Sequence, residues 1–182
     1  MARAWHLKSR PKGEPVIGDF ELKGLPDQSL ADGEIRVRNL WLSVDPYMRG
    51  RMNDVKSYVP PFQIGEPMTG SAVGEVIESR NPGFAVGDKV LHMAGWRDEA
   101  VVVLELMPTK LPDLGVPDET WLHNLGLTGG TAYFGLLRTA SAKEGDIVFV
   151  SAAAGAVGSA VVQIAKLKGM TVIGSAGGPD KC

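Results

Sequence analysis

The chain has 182 residues, 44% of them hydrophobic and 22% charged, with a net charge of −2. That length can bury a core in one or two domains, and the near-balance of charge gives no pull toward nucleic acid or an anionic membrane. No apolar run approaches the roughly 18 residues of a membrane span, residues 1–10 (MARAWHLKSR) lack a secretory apolar core, and the one cysteine is Cys182, so we expect a cytoplasmic protein without disulfides or a cysteine metal cluster.

Residues 2–8 and 20–23 are predicted short strands, separated by a Pro/Gly turn around 11–15. Residues 34–44 (EIRVRNLWLSV) form the longest β-like stretch. Ile35 and Val37 alternate with arginines, then the apolar phase moves to Leu40, Leu42 and Val44, so a β-bulge is expected near Asn39. Asp45-Pro46 has the chemistry to cap and start a short helix through Tyr47, Met48 and Arg49. Residues 52–61 are polar with paired prolines and are expected to be an exposed loop. Residues 71–78, 88–93 and 98–104 are further strands, with turns at 81–83 and 87–88. Short strands at about ten-residue intervals are the pattern of a small all-β barrel or sandwich.

At residues 112–117 the period changes. Residues 118–125 and 128–138 are predicted helices, the second directing Tyr133, Leu136 and Leu137 toward a core. The domain boundary is placed so that residues 1–115 are a β domain and residues 116–182 a nucleotide domain.

Residues 147–168 (IVFVSAAAGAVGSAVVQIAKLK) organise that second part. Ile147 to Val150 is a β-branched and aromatic run suited to a strand covered on both faces. Residues 151–158 carry almost no side chain larger than a methyl, which lets backbone approach a charged group closely. From Val157 the apolar positions recur at Val161, Ile164 and Ala165, helical spacing that Gly169 ends. The helix N-terminus then follows the small-residue turn, with free N–H groups and a positive dipole end. With a further strand at residues 171–174, the order is βαβ, and Ala153-x-Gly155-x-x-Gly158 is a variant of the dinucleotide pyrophosphate turn.

Four separated motifs together resemble one family. They are VDPYMRGRM at residues 44–52, GLTGGTAYFGL at 126–136, AAAGAVG at 152–158 and GSAGGPDKC at 174–182. The resemblance is to the zinc-independent medium-chain dehydrogenase/reductases, in their prostaglandin reductase, alkenal double-bond reductase and curcumin reductase branch. It implies an α/β plus β fold, with an N-terminal GroES-like β-barrel domain followed by the first part of a Rossmann domain, a doubly wound parallel sheet. It implies NADP(H) as cofactor and hydride reduction of the C=C bond of α,β-unsaturated ketones or aldehydes, in full-length relatives that are homodimers. Since the family is about twice this length, the chain is expected to be part of a longer protein, its sheet incomplete after residue 174.

Zinc enzymes share this architecture, but the positions corresponding to their ligands hold Asp45, Gly65-Glu66 and Asn124, and His6, His92 and His123 are scattered, so no metal is expected. The predicted second strand ends in Gly174-Ser175-Ala176 without the acid that binds an NAD ribose. Lys181, 23 residues after Gly158, is where the family places a lysine on the NADP 2′-phosphate; a solvated terminal lysine is the plainer alternative. Cofactor contacts are assigned to Thr128, Ala153, Ala154, Gly155, Ala156, Val157, Gly158, Ala176, Gly177 and Lys181. Thr128 also has the character of a helix cap.

Enone reduction needs a donor for the developing enolate oxygen, and Tyr47 is the candidate catalytic residue; the alternative is a tyrosine that packs its helix on the barrel. Arg49 and Arg51 are expected to be solvated, and Met48, Met52 and Met68 to pack loops or core. A quinone reductase and a catalytically inactive fragment stand beside the ene-reductase as readings. In all three the partner is a small molecule, with neither nucleic acid nor membrane.

Overall fold

The computed structural model describes residues 1–181; Cys182, the single cysteine, lies outside the described residues. The chain forms two compact units, Met1–Val116 and a second from Pro117 onward.

In the first unit β1 (Arg3–Leu7) pairs antiparallel with β2 (Phe20–Gly24). A five-stranded antiparallel sheet is built from β3 (Ile35–Leu42), β4 (Ala72–Ser79), β5 (Lys89–His92), β6 (Glu99–Val102) and β7 (Thr109–Lys110), in the order β6-β3-β4-β5-β7. Single bridges join Ala4 to Arg97 and His6 to Pro67 on the edge of β1 away from β2. The expected bulge is present: the β3–β4 register slips between Asn39 and Trp41, leaving Leu40 as the extra residue. Asn39 holds the irregularity by donating through Nδ2 to the carbonyls of Ala94 (3.0 Å) and Arg97 (2.9 Å). A second slip lies between Arg36 and Val37. Ile35, Val37, Val76, Val90, Ala94, Ala100 and Val102 form the core against this sheet.

A second cluster, Leu7, Met48, Met52, Phe62 and Met68, seats helix α1 (Tyr47–Arg51) and the loop after it. The three methionines are thus core residues. The helix starts where the sequence placed it, but the Asp45 carboxylate does not cap it. It accepts from the Ser43 hydroxyl (2.9 Å) instead, and the Asp45 main-chain carbonyl takes the Met48 N–H.

In the second unit residues 118–125 are not one helix but a 3₁₀ segment over Asp118–Leu122. Residues 128–138 divide into α2 (Leu127–Phe134) and a wider π turn at Gly135–Thr139. Leu136 is buried and Leu137 packs beside it, whereas Tyr133 is exposed and meets Phe134 edge-on, correcting its expected place in the core. The π turn accounts for this, because an extra residue in the turn breaks the 3.6-residue phase between 133 and 136.

Strand β8 (Ile147–Val150), helix α3 (Ala156–Leu167) and strand β9 (Thr171–Gly174) follow, β8 and β9 pairing in parallel. Val161, Ile164 and Ala165 on α3 face Val148 and Val172 across a core that includes Leu136 and Met170. Gly169 ends the helix at φ +76°, a left-handed position. Ile147 and Phe149 are 72% and 66% exposed, so β8 is covered on one face in this chain rather than on both.

Candidate functional site

Tyr47 opens α1, and its ring packs on the Met48, Met52 and Phe62 cluster. Its Oη is buried, and its proton has no acceptor among the described residues; the Arg51 guanidinium, which can only donate, is its charged neighbour. Burial holds the phenol above its ordinary pKa, the Asp45 carboxylate adds to that, and Arg51 opposes it. The result is a phenol fixed in its protonated, donating form. Beside it is a pocket of about 230 Å³ whose walls include Tyr47, Arg51, Val55, Tyr58, Val59 and Pro61. Tyr58 is 85% exposed at the mouth, a residue the sequence reading passed over as loop.

The arginines around this pocket are not solvated bystanders. Arg51 donates to the Pro60 carbonyl (2.9 Å) and the Thr69 hydroxyl (3.1 Å), and its guanidinium lies over the Phe62 ring. Arg49 donates to the carbonyls of Gly13 (2.6 Å) and Pro11 (3.3 Å) and to Asn53 Oδ1 (2.8 Å). Arg10, not singled out from the sequence, donates to the carbonyls of Met52 (2.9 Å) and Phe62 (3.3 Å). Each guanidinium has five N–H groups in a fixed fork, so one side chain can tie several carbonyls of a loop at once. The sequence signal was available only as arginines flanking a proline-rich loop.

The small-residue turn has the geometry an anion requires. Ser151 to Ala154 turn the chain from β8, Gly155 is the N-cap of α3, and no side chain caps the helix. The N–H groups of Ala156, Val157 and Gly158 therefore have no partner within the helix. The turn is pinned from behind by Ala153 N–H to the Ser175 carbonyl (2.8 Å) and by Ser175 N–H to the Val150 carbonyl (3.0 Å). A Cβ on Gly158 would overlap the Ala152 carbonyl oxygen, so glycine there lets helix and turn meet. These observations fit a dinucleotide pyrophosphate. Ala176 is half-buried, Gly177 is exposed, and Lys181 is exposed in the 3₁₀ turn Pro179–Lys181, in no ion pair with a described residue.

Thr128 lies in the first turn of α2, where Gly126 rather than Thr128 is the N-cap. Its hydroxyl donates to the His123 carbonyl (2.7 Å), which leaves the oxygen free to act as an acceptor. Gly129 packs where a Cβ would strike the Asn124 carbonyl, tying the helix to the 3₁₀ segment before it. Tyr47 and the pocket belong to the first unit; Thr128, the turn and Lys181 belong to the second. Among the described residues no three His, Asp or Glu side chains come together as metal ligands. No helix of the described residues is long and apolar enough to cross a membrane.

Residues 3–108 match the family described as the N-terminal domain of oxidoreductase. The NADPH-dependent curcumin reductase of Escherichia coli (strain K12) is 44% identical over 180 residues, covering 99% of this chain and 52% of the relative. Prostaglandin reductase 1 of Oryctolagus cuniculus is 44% identical over 183 residues, covering 99% and 50%. The crystal structure of CurA in complex with NADPH from Vibrio vulnificus superposes with a TM-score of 0.90 at 45% identity, covering 99% of this chain and 53% of that one. The chain spans about half the length of the curated relatives it matches. With a mixed α/β structure, four family motifs and a matching N-terminal domain, the chain belongs to the zinc-independent medium-chain dehydrogenase/reductases, in the branch of the curcumin, prostaglandin and alkenal reductases.

Proposed function

We propose that this chain carries the carbonyl-binding and part of the cofactor-binding apparatus of an NADPH-dependent oxidoreductase that reduces the C=C bond of α,β-unsaturated ketones and aldehydes. On this reading residues 1–115 are a GroES-like β domain and residues 116–182 the first part of a Rossmann domain. The observation that carries it is the buried phenol of Tyr47, a residue of the adjacent pocket, whose proton has no acceptor among the described residues. An unpartnered buried hydroxyl costs about 1–3 kcal/mol, and a substrate carbonyl supplies the missing acceptor.

NADPH, when bound, would supply a hydride to the β-carbon, and a proton from solvent at the α-carbon would complete the reduction. Tyr47 donates to the carbonyl oxygen and stabilises the charge that gathers there as the enolate forms; its raised pKa keeps the proton on the phenol. Val55, Val59 and Pro61 give the pocket apolar walls for the carbon skeleton of the substrate. The free N–H groups of Ala156, Val157 and Gly158 hold the pyrophosphate, and Ala153, Ala154 and Gly155 shape the turn that lets it approach. Ala176 and Gly177 leave room beside the ribose, and Lys181 pairs with the 2′-phosphate where an NAD enzyme would present an acid. Thr128 Oγ1, its proton engaged with His123, accepts from the nicotinamide amide. The substrate is a small molecule, the setting cytoplasmic, and proteins of the family's full length are homodimers.

NADPH oxidation measured with an enone, an enal and a quinone tests this reading. Turnover of the first two is expected, and activity confined to the quinone would replace it with a quinone reductase. Calorimetric titration of NADPH into the 182-residue chain should give low-micromolar binding, and its absence would favour an inactive fragment.

A further inference from the structure

A second cavity, about 380 Å³, opens over β1 and is lined by His6, Lys23 and Arg97, among others. Strand register explains how these three meet. Ala4 lies opposite Lys23 of β2 on one side and opposite Arg97 on the other. Residues directly opposite project from the same face, so two cations flank a methyl group in one cross-strand row. Their backbones stand roughly 10 Å apart, two strand spacings, with the buried Ala4 of β1 between them. His6 leaves β1 on that same face two residues along, opposite Glu21 and Pro67.

The hydrogen-bond chemistry of the three is complementary. Arg97 donates through Nε to the Gly95 carbonyl (3.1 Å) and through Nη2 to the Met68 carbonyl (3.0 Å), and pairs with no carboxylate among the described residues. Its Nη1 group has no partner among the described residues, and burial alone shifts its pKa downward, as for a cation without a counter-charge. His6 Nδ1 donates to the Ala4 carbonyl (3.0 Å), so in the neutral ring Nε2 is an acceptor. Lys23 meets Glu21 at 3.0 Å, but both are about half-exposed and such a pair is easily exchanged. Arg36, also in the wall, is committed to Glu78 and to the Gln28 carbonyl, and Glu66 and Glu99 complete the charged lining.

We propose that this face binds a small oxyanion bearing a hydroxyl group, a hydroxy-carboxylate or monohydrogen phosphate. Its charged oxygens lie between Lys23 and Arg97, and its hydroxyl donates to His6 Nε2. The two acids in the wall offset part of the positive charge, so a singly or doubly charged ligand is favoured over a more highly charged one. The site lies wholly within the first unit and is independent of the reductase reading.

NMR titration of the whole chain with inorganic phosphate, with lactate and with acetate tests it, at constant ionic strength set by chloride. Saturable shifts at His6, Lys23 and Arg97 are expected with phosphate, with lactate, or with both, and whichever binds names the ligand. Acetate, which lacks the hydroxyl, should bind about tenfold more weakly, the loss of about one hydrogen bond. Lys23→Ala, at an exposed position, should weaken binding by about threefold or more without unfolding the chain. Absence of saturable shifts with both phosphate and lactate, equal shifts with chloride alone, or binding unchanged in both Lys23→Ala and Arg97→Gln would overturn the proposal.

Discussion

The Arg51 guanidinium carbon lies 4.0 Å from the centroid of the Phe62 ring, while its N–H groups reach the Pro60 carbonyl and the Thr69 hydroxyl. One side chain thereby fixes both ends of a loop that walls the Tyr47 pocket. Arg51→Lys keeps the charge but loses the fork, and should cost about 1 kcal/mol in urea unfolding. It should raise KM for the enone several-fold and change kcat little. An unchanged KM would show that the loop holds its shape without this contact.

Tyr47→Phe should lower kcat by about 100-fold, the lower end of what a positioned proton donor contributes. Because the phenol is held above its ordinary value, the wild-type kcat profile should stay flat through pH 9 and fall only above the usual tyrosine range of about 10. The variant should lose that alkaline limb. A limb that survives in Tyr47→Phe belongs to another group.

Gly158→Ala drives a methyl into the Ala152 carbonyl oxygen, so turn and helix must separate. We expect a loss of roughly 1–3 kcal/mol in stability and weaker NADPH binding by calorimetry. Full NADPH affinity in the variant would mean that the turn opens at no cost.

Lys181→Ala should weaken NADPH about tenfold and leave NADH unchanged, since only the 2′-phosphate distinguishes the two. Equal losses for both cofactors would place the lysine elsewhere than on that phosphate.

His92 is buried, accepts the Ala94 N–H at Nδ1, and leaves Nε2 without a partner. Burial, helped by Arg97, lowers its pKa to about 4. Below about pH 6.5 the unfolded chain takes up a proton that the folded chain refuses. Stability should therefore fall as pH drops from about 6.5 toward 4, by at most about 3 kcal/mol, and level off below that. Asp19 and Asp88, both held below the usual carboxylate range, lose their contributions at lower pH still. His92→Gln should flatten the slope between about pH 6.5 and 4.5 in urea titrations, and an unchanged slope would assign it to another group.

Strand positions and the Asn39 bulge were legible because side-chain period and phase leave a direct trace in sequence. The small-residue turn was legible because close packing of Gly158 tolerates nothing larger. The π turn after Phe134 was not, since nothing local in GLLRT distinguishes one extra residue per turn from a regular helix. The clamping roles of Arg10, Arg49 and Arg51 were also hidden. Their acceptors are main-chain carbonyls, some more than thirty residues away, and carbonyls carry no residue identity. The exposed Ile147 and Phe149 show the other limit: an apolar run reports what a strand can bury, and this chain covers only one of its faces.

The carbonyl clamps have an evolutionary consequence. Arg10, Arg49 and Arg51 grip the backbone of Pro11, Gly13, Met52, Pro60 and Phe62, and no substitution can remove a carbonyl. The path of the loop is thus inherited separately from its side chains. Val55, Tyr58 and Val59 can be exchanged for other residues while the wall of the pocket stays where it is, so drift in this loop alters what the pocket accepts before it alters whether the pocket exists.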